Sequence, residues 1–284
     1  MDHDRLITTV ADDRLARVLG SLVGTFEAAF GRHNLAYYLI GSWVDGMTND
    51  LSDVDVIVVW TRGRPCDVDL ELGQRLLHSL RHDTRLDVAL FGEQEVAASR
   101  VGVNLKLASL LLHGPDIRDR LLLPPRDVYR ADTVKAALCF MSRVLRGVDE
   151  VPVPVDYPQP DGTFFGYDRK RVDAWYPAAV TQGLKEWVST ATRIARALVA
   201  LQGGRYVGSK SEAIVCYGTN IGDEWSDYLA MVYQKGTAEW GYRVPDDNRG
   251  RDALRGLCAR FVEFERHFLD VIDGYPGIVS GEGI

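Results

Sequence analysis

This 284-residue chain has no C-x-x-C pair, and its four cysteines (Cys66, Cys139, Cys216, Cys258) stand far apart. That excludes a zinc ribbon or a disulfide framework and leaves buried free thiols as the expectation. No apolar run approaches the roughly 18 residues that span a bilayer. The opening Met-Asp-His-Asp-Arg lacks the basic start of a signal peptide. A cytoplasmic protein with no membrane partner is therefore expected. Positive charge is in the minority, 33 Lys and Arg against 40 Asp and Glu, for a net charge of −7. Without a basic stripe the chain is not expected to bind DNA. No Ser-His-Asp or Cys-His constellation emerges and no G-x-G-x-x-G follows a strand, so hydrolase and dehydrogenase chemistry find no support.

The composition, 46% hydrophobic and 26% charged, is that of a globular protein long enough for one large or two ordinary domains. Leu15, Val18, Leu19, Leu22, Val23, Phe26 and Phe30 recur at helical spacing in the first 30 residues. Strands are expected at about 36–40, 54–60 and 86–91, with a helix near 67–82 between the last two. From about residue 93 the pattern is helical: 93–112, 127–147, 171–202, 209–218, 221–235 and 250–272. The fold class is α+β, a small mixed sheet flanked by helices and followed by a helical domain. Val151-Pro-Val-Pro-Val-Asp-Tyr-Pro-Gln-Pro-Asp-Gly162 is the stretch richest in Pro and Gly. It reads as an extended linker that divides the chain into 1–150 and 151–284. The tail 274–284 is expected to be loosely held.

The chemistry concentrates in Leu39-Ile-Gly-Ser-Trp-Val-Asp-Gly-Met-Thr-Asn-Asp-Leu-Ser-Asp-Val-Asp-Val-Ile-Val-Val59. Gly41-Ser42 closes one apolar strand, and Asp53-x-Asp55 opens the next. Side chains alternate across a strand, so Asp53 and Asp55 share a face. Neighbouring carboxylates repel unless a hard cation such as Mg²⁺ neutralises them. Asp87, second residue of the third strand, can project onto that face. Three converging acids could hold two metal ions that clamp an in-line displacement at phosphorus, and Asp87 could take a proton from an attacking hydroxyl. Gly41 lets backbone approach a phosphate, and the Ser42 hydroxyl can hydrogen-bond its oxygens. Each piece alone has an ordinary explanation as a polar strand end or turn; their order is what is informative.

That order resembles the nucleotidyltransferases of the DNA polymerase β superfamily, whose signature is h-G-[GS], a spacer, then D-h-[DE]-h. It stands in this chain as Ile40-Gly41-Ser42, the ten positions 43–52, and Asp53-Val54-Asp55-Val56. The local form is similar to the aminoglycoside adenylyltransferases of the streptomycin/spectinomycin type. The likeness continues more faintly through Leu111-Leu-His-Gly-Pro-Asp-Ile117 and Gly204-Arg-Tyr-Val-Gly-Ser-Lys-Ser-Glu-Ala213. The resemblance implies that Gly41 and Ser42 hold the triphosphate of ATP, that Asp53 and Asp55 bind Mg²⁺, and that Asp87 is third ligand or base. It implies an N-terminal nucleotidyltransferase domain, a helical substrate-binding domain, and transfer of AMP to a hydroxyl of a small polar acceptor of the aminoglycoside kind. Two other readings share the motif: a toxin-type enzyme modifying tRNA or a protein, and a silent nucleotide sensor. The acidic balance counts against tRNA, and the retention of three acids counts against a silent copy.

Other signals are weaker. Gly203-Gly-Arg-Tyr-Val-Gly208-Ser-Lys210-Ser211 falls short of a P-loop because Ser209 separates the second Gly from Lys and no strand precedes it. Ser209 and Glu212 instead form the S-x-x-E of a capping box. Lys210, in the first turn of that helix where a cation is disfavoured by the dipole, is a candidate phosphate contact. His78 and His82, four apart, lack the third ligand of a zinc site. Asp168-Arg-Lys-Arg171 reads as a solvated helix start. Trp175, Trp187, Trp225 and Trp240 lie beside acids and could hold a polycationic sugar, although packed amphipathic helices explain them as well. Glu186 is the candidate substrate contact.

Overall fold

A computed structural model of the chain describes residues 6, 8, 10, 12–46, 48, 52–80, 86–97, 99–169 and 183–279. These fall into two compact units that divide between Pro124 and Pro125. Among the described residues no helix is long and apolar enough to cross a membrane.

In the first unit, α1 (Asp13–Phe30) begins where the Asp12 side chain accepts a hydrogen bond from the Leu15 N–H at 2.7 Å. All seven apolar positions of its helical pattern are buried. The strands are β1 (Leu35–Ile40), β2 (Val54–Trp60), β3 (Leu86–Gly92) and β4 (Ser109–His113), in the order β3-β2-β1-β4. β1 is antiparallel to β2 and to β4, whereas β2 and β3 run parallel. Between them lie α2 (Ser42–Asp45), α3 (Asp67–Ser79), α4 (Glu93–Ala97) and α5 (Arg100–Leu107).

Alternation along the strands makes two cores. Leu35, Tyr37 and Leu39 of β1 with Val54, Val56 and Val58 of β2 meet α1, and partly buried Leu76 and Leu77 of α3 pack on that cluster. Ala36, Tyr38, Ile57 and Val59, on the opposite face, meet Val96 of α4, Leu105 of α5, and Ile117 and Leu121. The two cores consist of residues that the period of two assigns to opposite faces.

The expected helix over 93–112 is replaced by α4, α5 and the edge strand β4. Ser109-Leu-Leu-Leu-His113 is a short apolar run whose periodicity cannot tell strand from helix, and pairing with β1 decides it.

The second unit contains α6 (Arg126–Cys139), continued by a π-helical turn through Val144, then α7 (Lys185–Gln202), α8 (Lys210–Asn220), α9 (Ser226–Gln234), α10 (Asn248–Asp273) and α11 (Pro276–Val279). α7 is buried nearly all round, from Trp187 to Leu201, and is the centre of the helical core.

The unit boundary differs from the expected linker. Residues 125–150 belong with the helices, and the Pro/Gly-rich stretch from Val151 is packed inside the second unit. Arg266 of α10 donates through Nε and Nη2 to the Val155 carbonyl, and Arg146 donates to that of Asp156. Side-chain donors thus satisfy backbone that prolines keep out of helices, while Val155, Phe164 and Tyr167 are buried. The tail also differs from expectation in part, since Tyr275 and Ile278 pack against the helical core. Residues 280–284 lie outside the described residues, as do Trp175, Lys170, Arg171 and His82.

The cysteines are all free, but only Cys216 and Cys258 are buried. Cys66 is exposed because it precedes α3 as its N-cap, with its thiol donating to Asp69 at 2.9 Å. Cys139, also exposed, ends α6.

Candidate active site

The sheet brings the acids of β2 and β3 together. Parallel pairing sets Asp55 directly opposite Asp87, and antiparallel pairing sets Asp55 opposite Ile40 on its other side. Ile40 in turn pairs with Ser109. Asp87, Asp55, Ile40 and Ser109 therefore form one row across the end of the sheet, on the face that carries Tyr38, Ile57 and Val59. Asp53 stands two positions before Asp55, and the alternation extended back gives it the same side. Asp55 is half-buried and Asp87 exposed.

Gly41 follows Ile40 directly. Its φ of +78° is one that L side chains rarely adopt, and a Cβ there would stand 2.6 Å from Asp55 Oδ2. The turn thus rests against the carboxylate, and glycine is required twice over. The Gly41 carbonyl accepts from the N–H groups of Val44 and Asp45, which closes the short helix α2 with Ser42 as its first residue. Trp43 and Val44 pack on the α1 side of the sheet and hold α2 in place.

Tyr38, on the same face as the acids, anchors a turn that sequence reasoning did not single out as functional. Its hydroxyl donates to Asp116 at 3.1 Å and accepts from the Ile117 N–H at 2.7 Å. Arg118 closes on Asp116 through Nε and Nη2 and donates through Nη1 to the Ser109 carbonyl at 3.0 Å. The Arg118 guanidinium holds the Asp116 carboxyl down to about 2, well below the usual carboxylate range. Burial is the main cause that raises the Tyr38 phenol and keeps it protonated. The turn that follows β4 is thereby pinned to β1 through Tyr38 and to Ser109 through Arg118.

Two further candidates lie in the second unit. Ser209 caps α8, accepting from the Glu212 N–H at 3.2 Å, and Glu212 reaches back to the Gly208 N–H at 2.6 Å. The Ser209 half of the capping box is thus present, but Glu212 bonds the N–H of Gly208 and not that of Ser209 itself. The P-loop is absent, since the loop follows α7, not a strand. Lys210 Nζ donates to the Ser189 hydroxyl on α7 at 3.0 Å. Glu186 lies one turn before Ser189 on α7 and is half-buried. Trp187 and Trp225 are buried in the helical core, and Trp240 packs on it with Lys235 Nζ 5.3 Å from its ring. Core packing accounts for them.

Among the described residues, no group of three or more His, Cys, Asp and Glu gathers closely enough to hold a metal ion. What the register supplies is an adjacent pair, Asp55 and Asp87, with oxygen donors of the kind that hard divalent cations take.

A small mixed sheet with a Gly-Ser turn against an aspartate, followed by a helical unit, is an architecture this chain shares with a solved structure. The solved structure of spectinomycin adenyltransferase AAD(9) from Enterococcus faecialis, determined with ATP and spectinomycin, has this fold. It matches 86% of this chain and 98% of its own, with a TM-score of 0.50 and 10% sequence identity. At that identity the likeness is one of fold. No protein-family profile matches the sequence, and no curated protein does.

Proposed function

We propose that the chain is a nucleotidyltransferase that moves AMP from ATP to a hydroxyl of a small polar acceptor, of the class that includes aminoglycoside antibiotics, and releases pyrophosphate. The observation that carries this is the pairing of Asp55 with Asp87 beside Gly41 at one end of the sheet. The fold shared with an adenyltransferase solved with ATP and spectinomycin supports it.

In this mechanism the acceptor oxygen attacks the α-phosphorus in line, and the bond to the bridging oxygen of pyrophosphate breaks. Gly41 and the Ser42 hydroxyl hold the triphosphate. Asp87, the more exposed carboxylate, accepts the proton of the attacking hydroxyl. The adjacent pair Asp55 and Asp87 would hold Mg²⁺, with Asp53 drawn in as a further ligand, and the ion when bound neutralises phosphate charge. Lys210 serves as a phosphate contact and Glu186 as an acceptor contact. Catalysis then rests on positioning and charge neutralisation.

The test incubates the protein with Mg²⁺ and each labelled nucleoside triphosphate against aminoglycosides, tRNA and proteins, following pyrophosphate release and label transfer. Transfer to an aminoglycoside that is lost in Asp55→Asn supports the proposal. Label on tRNA or protein alone identifies a macromolecular acceptor. Nucleotide binding without transfer to any acceptor identifies a sensor.

A further inference from the structure

Where α7 ends, the chain turns through Gly203 and Gly204, the beginning of the stretch whose spacing only approximates a P-loop. Gly204 has φ +60°, and a Cβ built on it would stand 3.5 Å from Arg126 Nη1 and 3.8 Å from Arg130 Nη2. The two guanidinium groups, one turn apart at the start of α6, converge on one small volume. That volume is open because residue 204 has no side chain.

Part of this arrangement is structural. Arg130 donates through Nε to the Ala200 carbonyl at 3.1 Å, closing the end of α7, and through Nη1 to Asp127 at 3.1 Å. Its Nη2 has no hydrogen-bond partner among the described residues, and Arg126 has neither a hydrogen bond nor an ion pair among them. Arg205, next in the loop, is engaged elsewhere, its Nη1 3.4 Å from the Asn220 amide oxygen at the end of α8. The acid paired with Arg130 is Asp127, whose side chain is 91% exposed. Guanidinium groups crowded with so little counter-charge repel one another, and their spare N–H donors face the notch.

We propose that Arg126, Arg130 and Gly204 form an oxyanion site that takes a phosphate group, free or esterified to a small molecule. One phosphate oxygen rests in van der Waals contact against the bare Cα of Gly204, on the side where a side chain would exclude it, and Arg126 Nη1 and Arg130 Nη2 donate charge-assisted hydrogen bonds to the anion. The notch lies within the second unit and contains none of the residues assigned to nucleotidyl transfer, so its test is independent of that proposal.

The experiment is titration calorimetry of the full chain with inorganic phosphate and, separately, with glycerol 3-phosphate. Saturable binding to the unaltered protein is expected, weakened about tenfold by Arg126→Gln through loss of a charged donor. Arg126 holds no described group, so this variant is expected to fold. Gly204→Ala fills the notch and should abolish binding, with circular dichroism confirming its fold. Binding of both ligands assigns the site to phosphomonoesters as well as the free ion, and binding of phosphate alone assigns it to the free ion. Absence of binding to the unaltered protein, or equal affinity in Arg126→Gln, would overturn the proposal.

Discussion

Gly41 and Asp55 share one space at the end of the sheet: a Cβ on residue 41 would lie 2.6 Å from the Asp55 Oδ2 oxygen. Gly41→Ala therefore carries two costs. The φ of +78° with ψ of −151° at residue 41 lies in a region essentially confined to glycine and costs roughly 1–3 kcal/mol for an L side chain, and the Asp55 carboxylate must move. A displacement near 1 Å at reacting groups can cost about a hundredfold in rate. The expected result is a folded protein by circular dichroism with transfer reduced by about that factor. A rate equal to that of the unaltered protein would show that the position of Asp55 is not used.

Asp55 and Asp87 are directly paired like charges, and their contributions to stability and to activity should separate. Like charges opposite one another destabilise a sheet, so in metal-free buffer Asp87→Asn should raise stability by roughly 0.2–1 kcal/mol. The gain should shrink in high salt, because Asp87 is exposed. The same variant should lose transfer activity. Urea denaturation at two salt concentrations, beside an activity assay, checks both parts.

Arg146 and Glu265 make a buried ion pair with contacts of 2.6 and 2.8 Å, side chains 5% and 0% exposed, and Tyr167 donating to the same carboxylate at 2.6 Å. Removing one partner strands a buried charge, so Glu265→Ala should cost about 3–5 kcal/mol. Arg146→Met combined with Glu265→Leu should recover much of that loss, because neither charge is then left buried. Chemical denaturation of the single and double variants measures the difference.

Asp116 gives the protein an acid-dependent term. Its pKa is lowered to about 2 by Arg118, so the pair contributes stability above the unfolded value of about 4 and loses it as pH falls towards 2. Asp116→Asn should thus lower Tm most above about pH 4, with the two proteins converging near pH 2. Partial exposure keeps the effect modest. A gap in Tm that widens as pH falls would contradict the assignment.

Much of this was legible in the residues because the signals are local. The apolar positions of α1, the strands at 54–60 and 86–92, and the Ser209–Glu212 cap each follow from periodicity or from a side chain bonding its own backbone. The alternation that puts Asp55 and Ile57 on one face is likewise a property of the chain. Position 87 relative to position 55 is different, because strand register is set by the cores on both faces of the sheet. Ser109–His113 could not be distinguished from helix until β1 offered it partners. The prolines from Val151 read as a linker, since nothing in that stretch announces that Arg146 and Arg266, distant in sequence, supply its missing donors.

The sequence alone determined the kind of chemistry available: a Gly-Ser turn, a D-x-D at a strand start and an acid in the next strand, all fixed by identity and short spacing. The tertiary structure decided that Asp87 stands beside Asp55, that Gly41 touches the latter's carboxylate, and that two arginines meet over Gly204. These are contacts between segments far apart in the chain. They depend on which surfaces bury together, and local composition does not encode that.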